Sequence, residues 1–518
     1  MGVQSSGASF YPMCYNRAMQ KVFLDSRVLD KHCRESFLLS EELMMENAAA
    51  ALEDAVISHI DLAARYIARP CVLILAGKGN NGADGLALSR RLASKRVSVA
   101  VCPVGECATE IGKVQQKRAQ ALGVSFVSPY ELDDFIEQKS FDLCVVVDCI
   151  FGAGFHLPLD KTAEAVILAA NATQAWKIAC DVPSGLDSFG RGDTVFCANE
   201  TVAMGCLKMS FFSDKAQDCC GNIRVANLGV AQGNFEGGAA PDAFVLERRD
   251  MKLPLRTSPN CHKGSFGHVA VISGDKTGAT LLASDAAFRF GAGRVTLVGR
   301  GDLALPHIMA SEEIPAGANA VVFGSGFGRS NPRAGEYFAL LQDNERLSCV
   351  LDADAFYYTD IARLLEGRGN VVLTPHPKEA AALFAACGLG ELSVDEVVKR
   401  RVELAKQFCT RFKRAVLLLK GATVLIAFWD EAAGRVRLLF NPHGTQALAK
   451  GGSGDVLAGL VASLLAQGYS PQEATISASL AHAFASQHVN CTFALTPQDL
   501  ISQVCKLAQE DELTHEGS

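Results

Sequence analysis

The sequence predicts an α/β protein made of two three-layer αβα domains, and three observations lead there. Short β-branched runs alternate with longer helical patterns from about residue 71, the alternation pauses in a Gly-, Pro- and Ala-rich stretch, and it then restarts with its glycine-rich turns differently placed. Length agrees, since 518 residues at roughly 100–200 per domain allow two to four domains, each able to bury about 70% of its unfolded surface without staples.

With 49% hydrophobic, 20% charged and 7% aromatic residues, the chain is neither disordered nor a collagen-like or coiled-coil rod. Its formal charge of −7, without any Lys/Arg block, gives no chain-wide attraction to nucleic acid or anionic lipid and leaves small-molecule chemistry as the expectation. Many of the 18 cysteines sit in apolar runs such as FDLCVVVDC and WKIACD, and no CxxC occurs. Reduced, buried cysteine in the cytoplasm fits this better than a disulfide framework or zinc. The longest charge-free stretches, 456–472 and 474–498, are broken by polar residues, so no membrane span is expected. Residues 1–20 read as a flexible leader without a secretory signal, although MGVQSS fits the pattern for acylation of Gly2 and weak membrane association, and a mitochondrial location is the other alternative to the cytoplasm.

Taken in order, residues 36–69 predict long helices. Then come strand CVLILAG, a helix near 84–95, VSVAVCPVG, a helix near 109–121, FDLCVVVD, a helix near 160–172 and WKIACDVP, which together predict a parallel sheet covered on both faces. The stretch from about 230 to 258 lacks helical period and reads as a junction. Beyond it follow GHVAVISG, a helix near 279–290, GRVTLVG, ANAVVFGSG, SCVLDAD, NVVLTP and AVLLLKGATVLIAF. The expected domains are 21–230 and 255–510, with a linker at 231–254 and a tail at 511–518.

GKGNNGADG (77–85) follows a strand, opens a helix and contains G-x-G-x-x-G, the grammar of a phosphate cradle at a helix N-terminus. Asn80, Asn81 and Asp84 make it more polar than a plain dinucleotide turn, and Asp84 as a mere helix cap is the bland alternative. Asp148 and Asp181 end the next strands, which places three acids at the carboxyl edge of one sheet, where ligands bind in such folds. Ser184 lies in the turn after Asp181.

LMMENA (43–48), NNGADG (80–85), VDCIFGAG (147–154) and DVPSGLD (181–187) resemble, in order, the N-terminal epimerase module of the bifunctional NAD(P)H-hydrate repair enzymes. The resemblance implies a Rossmann-like domain over about 20–230 that acts on hydrated NADH and NADPH. It places Asn80, Asn81, Gly82, Ala83, Asp84, Gly152, Ala153, Gly154, Phe155, His156, Leu157, Pro158 and Asp181 around that substrate, and K⁺ on Asn81, Asp148 and Ser184. Amide, carboxylate and hydroxyl oxygens suit such a hard cation. Asp181 is the expected general base. Ala83 stands where the family usually has glycine, and its methyl is expected near the ligand.

KGGSGDVLAG (450–459) places three glycines and a serine before a helix expected to begin at Asp455. Backbone amides there suit a transferring phosphoryl group and the carboxylate suits an attacking hydroxyl, with an Asp N-cap as the alternative. No GK[ST] follows, so this is not a Walker loop. FGSGFG (323–328), TPHPKEA (374–380) and LLLKGATV (417–424) fall at other strand ends.

With HKGSFGHVAVISG (262–274), these motifs resemble the ribokinase-like dehydratase module of the same repair enzymes, over about 255–510. The resemblance makes Gly326, His376, Pro377, Lys378, Glu379, Ala380, Ala381 and Ala382 substrate contacts and Asp455 the substrate-facing acid. Adenine nucleotide would lie on Lys420, Gly421, Ala422, Thr423 and Val424, and on Thr445, Gln446, Ala447, Leu448, Ala449, Lys450, Gly451, Gly452, Ser453 and Gly454. Thr445 and Gln446 depart from the common Asn-Pro. The reaction implied is epimerisation of the hydrate followed by dehydration of the S form to NAD(P)H, with ADP and Mg²⁺ giving AMP and phosphate, in a homo-oligomer. ATP as donor is the alternative, and so is a small-alcohol or vitamin kinase fused to a nucleotide-binding scaffold.

Overall fold

The computed structural model describes residues 19–63, 66–67, 69–300, 305–489 and 491–508. Gly2 with its acylation motif, nearly all of the expected leader, and the expected tail lie outside the described residues. No helix among the described residues is long and apolar enough to cross a membrane.

The first half contributes β1 (Gln20–Phe23), β2 (Cys71–Ala76), β3 (Ser98–Pro103), β4 (Ser125–Phe126), β5 (Leu143–Cys149), β6 (Trp176–Cys180), β7 (Glu200–Met204), β8 (Leu207–Lys208) and β9 (Asn222–Ala226). Seven of these form a sheet in the order β4-β3-β2-β5-β6-β7-β9, parallel throughout. β2 and β5 are buried along their whole length, so they read as continuous apolar runs rather than alternating ones. Val72 and Ile74 pack under helices Glu41–Ala63 and Asn80–Ser94, whereas Leu73 and Leu75 face helix Lys161–Ala172. The chain leaves β2 toward β3 on one side and returns to β5 on the other, which opens a crevice between their carboxyl ends.

After β10 (Ala243–Val245), the second half adds β11 (His268–Ile272), β12 (Arg294–Val298), β13 (Met309–Ser311), β14 (Ala320–Phe323), β15 (Ser348–Leu351), β16 (Val371–Leu373), β17 (Ala415–Leu419), β18 (Val424–Asp430) and β19 (Arg435–Asn441). Their sheet runs β13-β12-β11-β14-β15-β16-β17-β18-β19-β10-β1-β8. It is parallel from β13 to β17 and antiparallel across β17, β18 and β19. The run AVLLLKGATVLIAF is therefore a hairpin, with Lys420 to Thr423 as its turn.

The two halves are joined by more than a tether. β10, inside the stretch read as linker, pairs with β19 on one side and β1 on the other, and β1 pairs with β8. One apolar core holds Val182, Leu186, Met209 and Phe211 together with Phe323, Leu417 and Phe440. Phe212 stacks on Phe440 with ring centroids 4.8 Å apart.

Candidate functional site

The first site grows out of the turn after β2. A Cβ on Gly77 would lie 1.9 Å from the Ile150 carbonyl oxygen, and one on Gly82 would lie 1.9 Å from that of Gly77. Only glycine lets this turn pack beneath the loop leaving β5. The helix Asn80–Ser94 has Gly79 as its N-cap, so Asp84 sits one turn inside it and is not a cap.

A cavity of about 580 Å³ opens here, lined by Asn80, Asn81, Asp84, Gly152, Ala153, Gly154, Phe155 and Asp181 among the expected residues. Gly82, Ala83, His156, Leu157 and Pro158 are not part of that lining. The methyl of Ala83 is fully buried against Met45, Ala49 and Ala87, so the expectation that it crowds the ligand is corrected: the helix turns that position toward its neighbour, helix Glu41–Ala63.

Asp148 is fully buried, and all its hydrogen-bond donors are neutral. The Ser184 amide donates to Oδ2 at 2.7 Å, the Ser184 hydroxyl to Oδ1 at 2.7 Å and the Ile150 amide to Oδ1 at 3.1 Å. Burial pushes its carboxyl up to about 6 against those bonds. Asn81 spends its amide NH₂ on the Phe151 carbonyl at 2.9 Å, which leaves its side-chain oxygen free to accept.

Asp181 adopts φ 68°, a left-handed conformation uncommon for a residue with a Cβ, and this carries its carboxylate into the cavity. Oδ2 accepts from the Ala153 amide at 2.9 Å and Oδ1 from the Met204 amide at 3.2 Å. The Lys208 ammonium lies 2.5 Å from Oδ1, with only 2% of its side chain exposed, and also donates to the Met204 carbonyl at 2.7 Å. Asp30 completes the group. Burial raises it to about 6, the Lys208 charge opposing and Asp181 adding. Burial also lifts Asp84 well above the usual carboxylate range, with Asp181 and Asp30 adding to the effect. Sequence reasoning found Asp84 and Asp181 but not Lys208 or Asp30. The one signal for Lys208 is a lone cation inside the apolar run GCLKMSFF.

In the second half, β14, β15, β16 and β17 end side by side and deliver Ser325, Asp352, Thr374 and Lys420 to one edge. Lys420 Nζ lies 3.0 Å from Asp352 Oδ1 and 3.8 Å from Glu379 Oε2. Thr374 donates to Asp352 at 2.8 Å and Ser325 at 3.3 Å. Asp455 faces this group, and burial first, then Asp352, pushes its carboxyl up to about 6 while Ser325 and Lys420 oppose. Asp352 was missed, although SCVLDAD ends a strand just as FDLCVVVD does.

The helix expected to begin at Asp455 begins at Ser453, with Gly452 as N-cap at φ 93°. Asp455 is thus its third residue and does not cap it. The left-handed Gly452 makes the earlier start possible, and a Cβ there would meet Pro497 at 2.6 Å. His376 instead performs a capping task, its Nδ1 accepting from the Lys378 and Glu379 amides at 3.2 and 3.3 Å. Ala380 and Ala447 are buried in the cores. Thr445 is anchored by its hydroxyl, 3.0 Å from that of Ser486.

Residues 269–506 match the family described as NAD(P)H-hydrate dehydratase, and residues 41–210 the family described as YjeF-related protein N-terminus. The chain is 38% identical over 496 residues to the bifunctional NAD(P)H-hydrate repair enzyme Nnr of Helicobacter pylori, covering 94% of this chain and 100% of that protein. It is 31% identical over 480 residues to its Coxiella burnetii counterpart, covering 89% and 92%. Among solved structures, an ADP/ATP-dependent NAD(P)H-hydrate dehydratase from Bacillus subtilis, co-crystallised with ATP/Mg²⁺, is 25% identical with a TM-score of 0.41, covering 49% of this chain and 93% of that one.

Proposed function

This chain belongs to the bifunctional NAD(P)H-hydrate repair enzymes, and from that premise we propose how its two sites divide the work. It joins an NAD(P)H-hydrate epimerase to an NAD(P)H-hydrate dehydratase. The observation that carries the assignment of sites is convergence: the glycine turns and acidic side chains that the sequence spreads over hundreds of positions meet at one sheet edge in each half.

In the epimerase half, hydrated nucleotide lies in the cavity between the β2 and β5 turns. Interconverting the R and S hydrates requires the ring carbon to lose and regain its configuration, and Asp181 carries the proton. Lys208 fixes the position of that carboxylate. Asp84, whose carboxyl is lifted above the usual range by burial first and then by Asp181 and Asp30, lines the same cavity and faces the substrate. Asn81, Asp148 and Ser184 would hold K⁺. The donor set fits: Asp148 is a buried carboxylate served only by neutral donors, Ser184 is bonded to it, and Asn81, which meets the same Phe151 backbone as Ser184, keeps a free amide oxygen. When bound, the ion supplies positive charge at the floor of the crevice.

In the dehydratase half, Asp455 accepts the proton of the substrate hydroxyl as that oxygen attacks the terminal phosphorus of the nucleotide. Hydroxide leaves poorly. Once phosphorylated, the group departs as phosphate, expelled by the electron pair of the ring nitrogen, and loss of a proton from the adjacent ring carbon to solvent restores the ring double bond of NAD(P)H. Amides at the start of helix Ser453–Ala466 meet the charge that builds on the transferred phosphoryl group. The turn Lys420 to Val424 and the segment Thr445 to Gly454 hold the nucleotide. Asp352 and Glu379 already face Lys420, so Mg²⁺ would be held by the donor's own phosphate oxygens. ADP is the donor we favour, since the fused arrangement resembles the ADP-using members, and it returns AMP and phosphate.

The test is purified protein with hydrated NADH and either ADP or ATP, following return of the reduced nicotinamide absorbance. Recovery with ADP and release of AMP is expected. Recovery without nucleotide would defeat the mechanism, and recovery with ATP alone would defeat the choice of donor.

A further inference from the structure

The most telling contact between the halves lies on the dehydratase side. Asp214 belongs to the epimerase half and opens the short helix Asp214–Cys219 just after Phe212, the ring stacked on Phe440. Its Oδ1 crosses to the β17–β18 turn, where it accepts from the Ala422 amide at 3.0 Å and the Thr423 amide at 3.5 Å. Arg401, with 8% of its side chain exposed, donates Nη1 to the same oxygen at 2.8 Å and Nη2 to the Thr423 carbonyl. The carboxylate and guanidinium thus clasp the turn from both sides of its backbone. The fit is close, since a Cβ on Gly421 would stand 2.8 Å from Asp214 Oδ1 and 3.1 Å from Arg401 Nη1.

Hairpin turns with exposed amides sample several conformations, and a charged acceptor on two successive amides selects one of them. This turn carries Lys420 at its start, and Lys420 Nζ points into the acidic group beside Asp455. The residue setting the turn therefore comes from the other domain, 208 positions earlier.

We propose that Asp214 is a positioning residue for the dehydratase, holding the Lys420 to Val424 turn in the form that receives nucleotide, so that the epimerase half completes the nucleotide site of its neighbour. The inference rests on the reading of that turn as a nucleotide contact. It makes the fusion functional: Asp214 touches no reacting atom, yet it sets how tightly the donor is held.

The experiment uses the full-length chain and measures nucleotide KM and kcat for dehydration alongside the epimerisation rate. Asp214→Ala should raise nucleotide KM about ten- to a hundredfold, the worth of a lost charge-assisted bond. Its kcat and its epimerisation rate should stay within twofold. Asp214→Asn, which keeps an acceptor for the amides but not the charge for Arg401, should fall between. A third variant, Ala422→Trp, places bulk on the exposed face of the turn and tests the turn itself. If Ala422→Trp raises KM while Asp214→Ala does not, the clasp is refuted and the nucleotide reading stands. Unchanged KM in both refutes both. Parallel loss of the two activities in Asp214→Asn would make the contact one of global stability and overturn the proposal.

Discussion

Replacing Lys208 by Met should destabilise the epimerase half by an amount that depends on pH in a stated direction. The ammonium is buried, 2.5 Å from Asp181, and its charge also lowers Asp30. Met keeps the length and apolar stem but leaves Asp30, Asp84 and Asp181 together without a cation. Breaking a buried pair by removing one partner costs about 3–5 kcal/mol, and that is the loss expected at pH 8. In the wild type, burial makes the ammonium costlier but its acidic neighbours outweigh this and raise its affinity for the proton, so its contribution is fully present at both pH 8 and pH 5. In the wild type Asp30 and Asp84 already bind protons more tightly folded than unfolded, and without the ammonium that opposes this at Asp30 the cluster does so more strongly in the variant. Folding therefore gains stability as pH falls, by about 1.4 kcal/mol per unit for each such proton. The gap between variant and wild type should thus shrink by about 2–4 kcal/mol between pH 8 and pH 5. The chain has two tryptophans, and Trp176 lies in β6 of the epimerase half, stacked on His59 at 4.6 Å. In a Trp429→Phe background, urea unfolding followed by fluorescence reports on this half. A gap of the same size at both pH values, or a loss below about 1 kcal/mol at pH 8, would refute the buried-cation argument.

Asp455→Asn should cut dehydration by about 10²–10⁴-fold and leave epimerisation intact, as separate assays of hydrate loss and R/S exchange would show. In the wild type, dehydration should fall about tenfold per unit below pH 6, because a carboxyl pushed up to about 6 is protonated there and cannot accept the hydroxyl proton; a flat profile from pH 7 to pH 5 would remove it as base. Potassium at about a hundred times its dissociation constant should stabilise the folded protein by about 2.7 kcal/mol, read as a rise in Tm over sodium, and Asp148→Asn should abolish the difference. Gly82→Ala should cost about 1–3 kcal/mol or more, since its Cβ would meet backbone that cannot yield, whereas Gly79→Ala, with nothing within 4 Å, should cost only the loss of a favourable N-cap, about 0.5–1 kcal/mol in thermal unfolding.

What the sequence disclosed follows from where each signal is stored. β2 and β5 announce themselves because a strand buried on both faces reads as a nearly unbroken apolar run, and Asp148 near the end of β5 stands out against that background. β10 gives no such signal. It has three residues in a stretch rich in Gly and Pro, and it is a strand because β19 and β1 flank it, partners about 195 residues ahead and 223 behind. Ala83 misled for a related reason: the motif fixes that it lies beside the ligand turn in sequence, but only the packing of helix Glu41–Ala63 decides which way its methyl points.

The residues missed at the sites share one property, that their chemistry comes from partners supplied by other elements. Asp30 resembles any polar residue on an amphipathic helix, and Lys208 resembles a solvated lysine beside a short strand. Only the meeting of helix Arg27–Ser36, β8 and the left-handed Asp181 makes them a charge cluster. The same holds for Asp214 and Arg401, which are 187 positions apart and whose bond exists because β1, β8 and β10 extend the second sheet and fix the first domain against it. A sequence motif records the groups that touch substrate through the local turn that presents them. The charges that hold those groups in place are recorded only in the packing of elements distant in sequence, within one half for Lys208 and Asp30 and across both for Asp214 and Arg401, and variants there should therefore change affinity, pH dependence and stability while every motif remains intact.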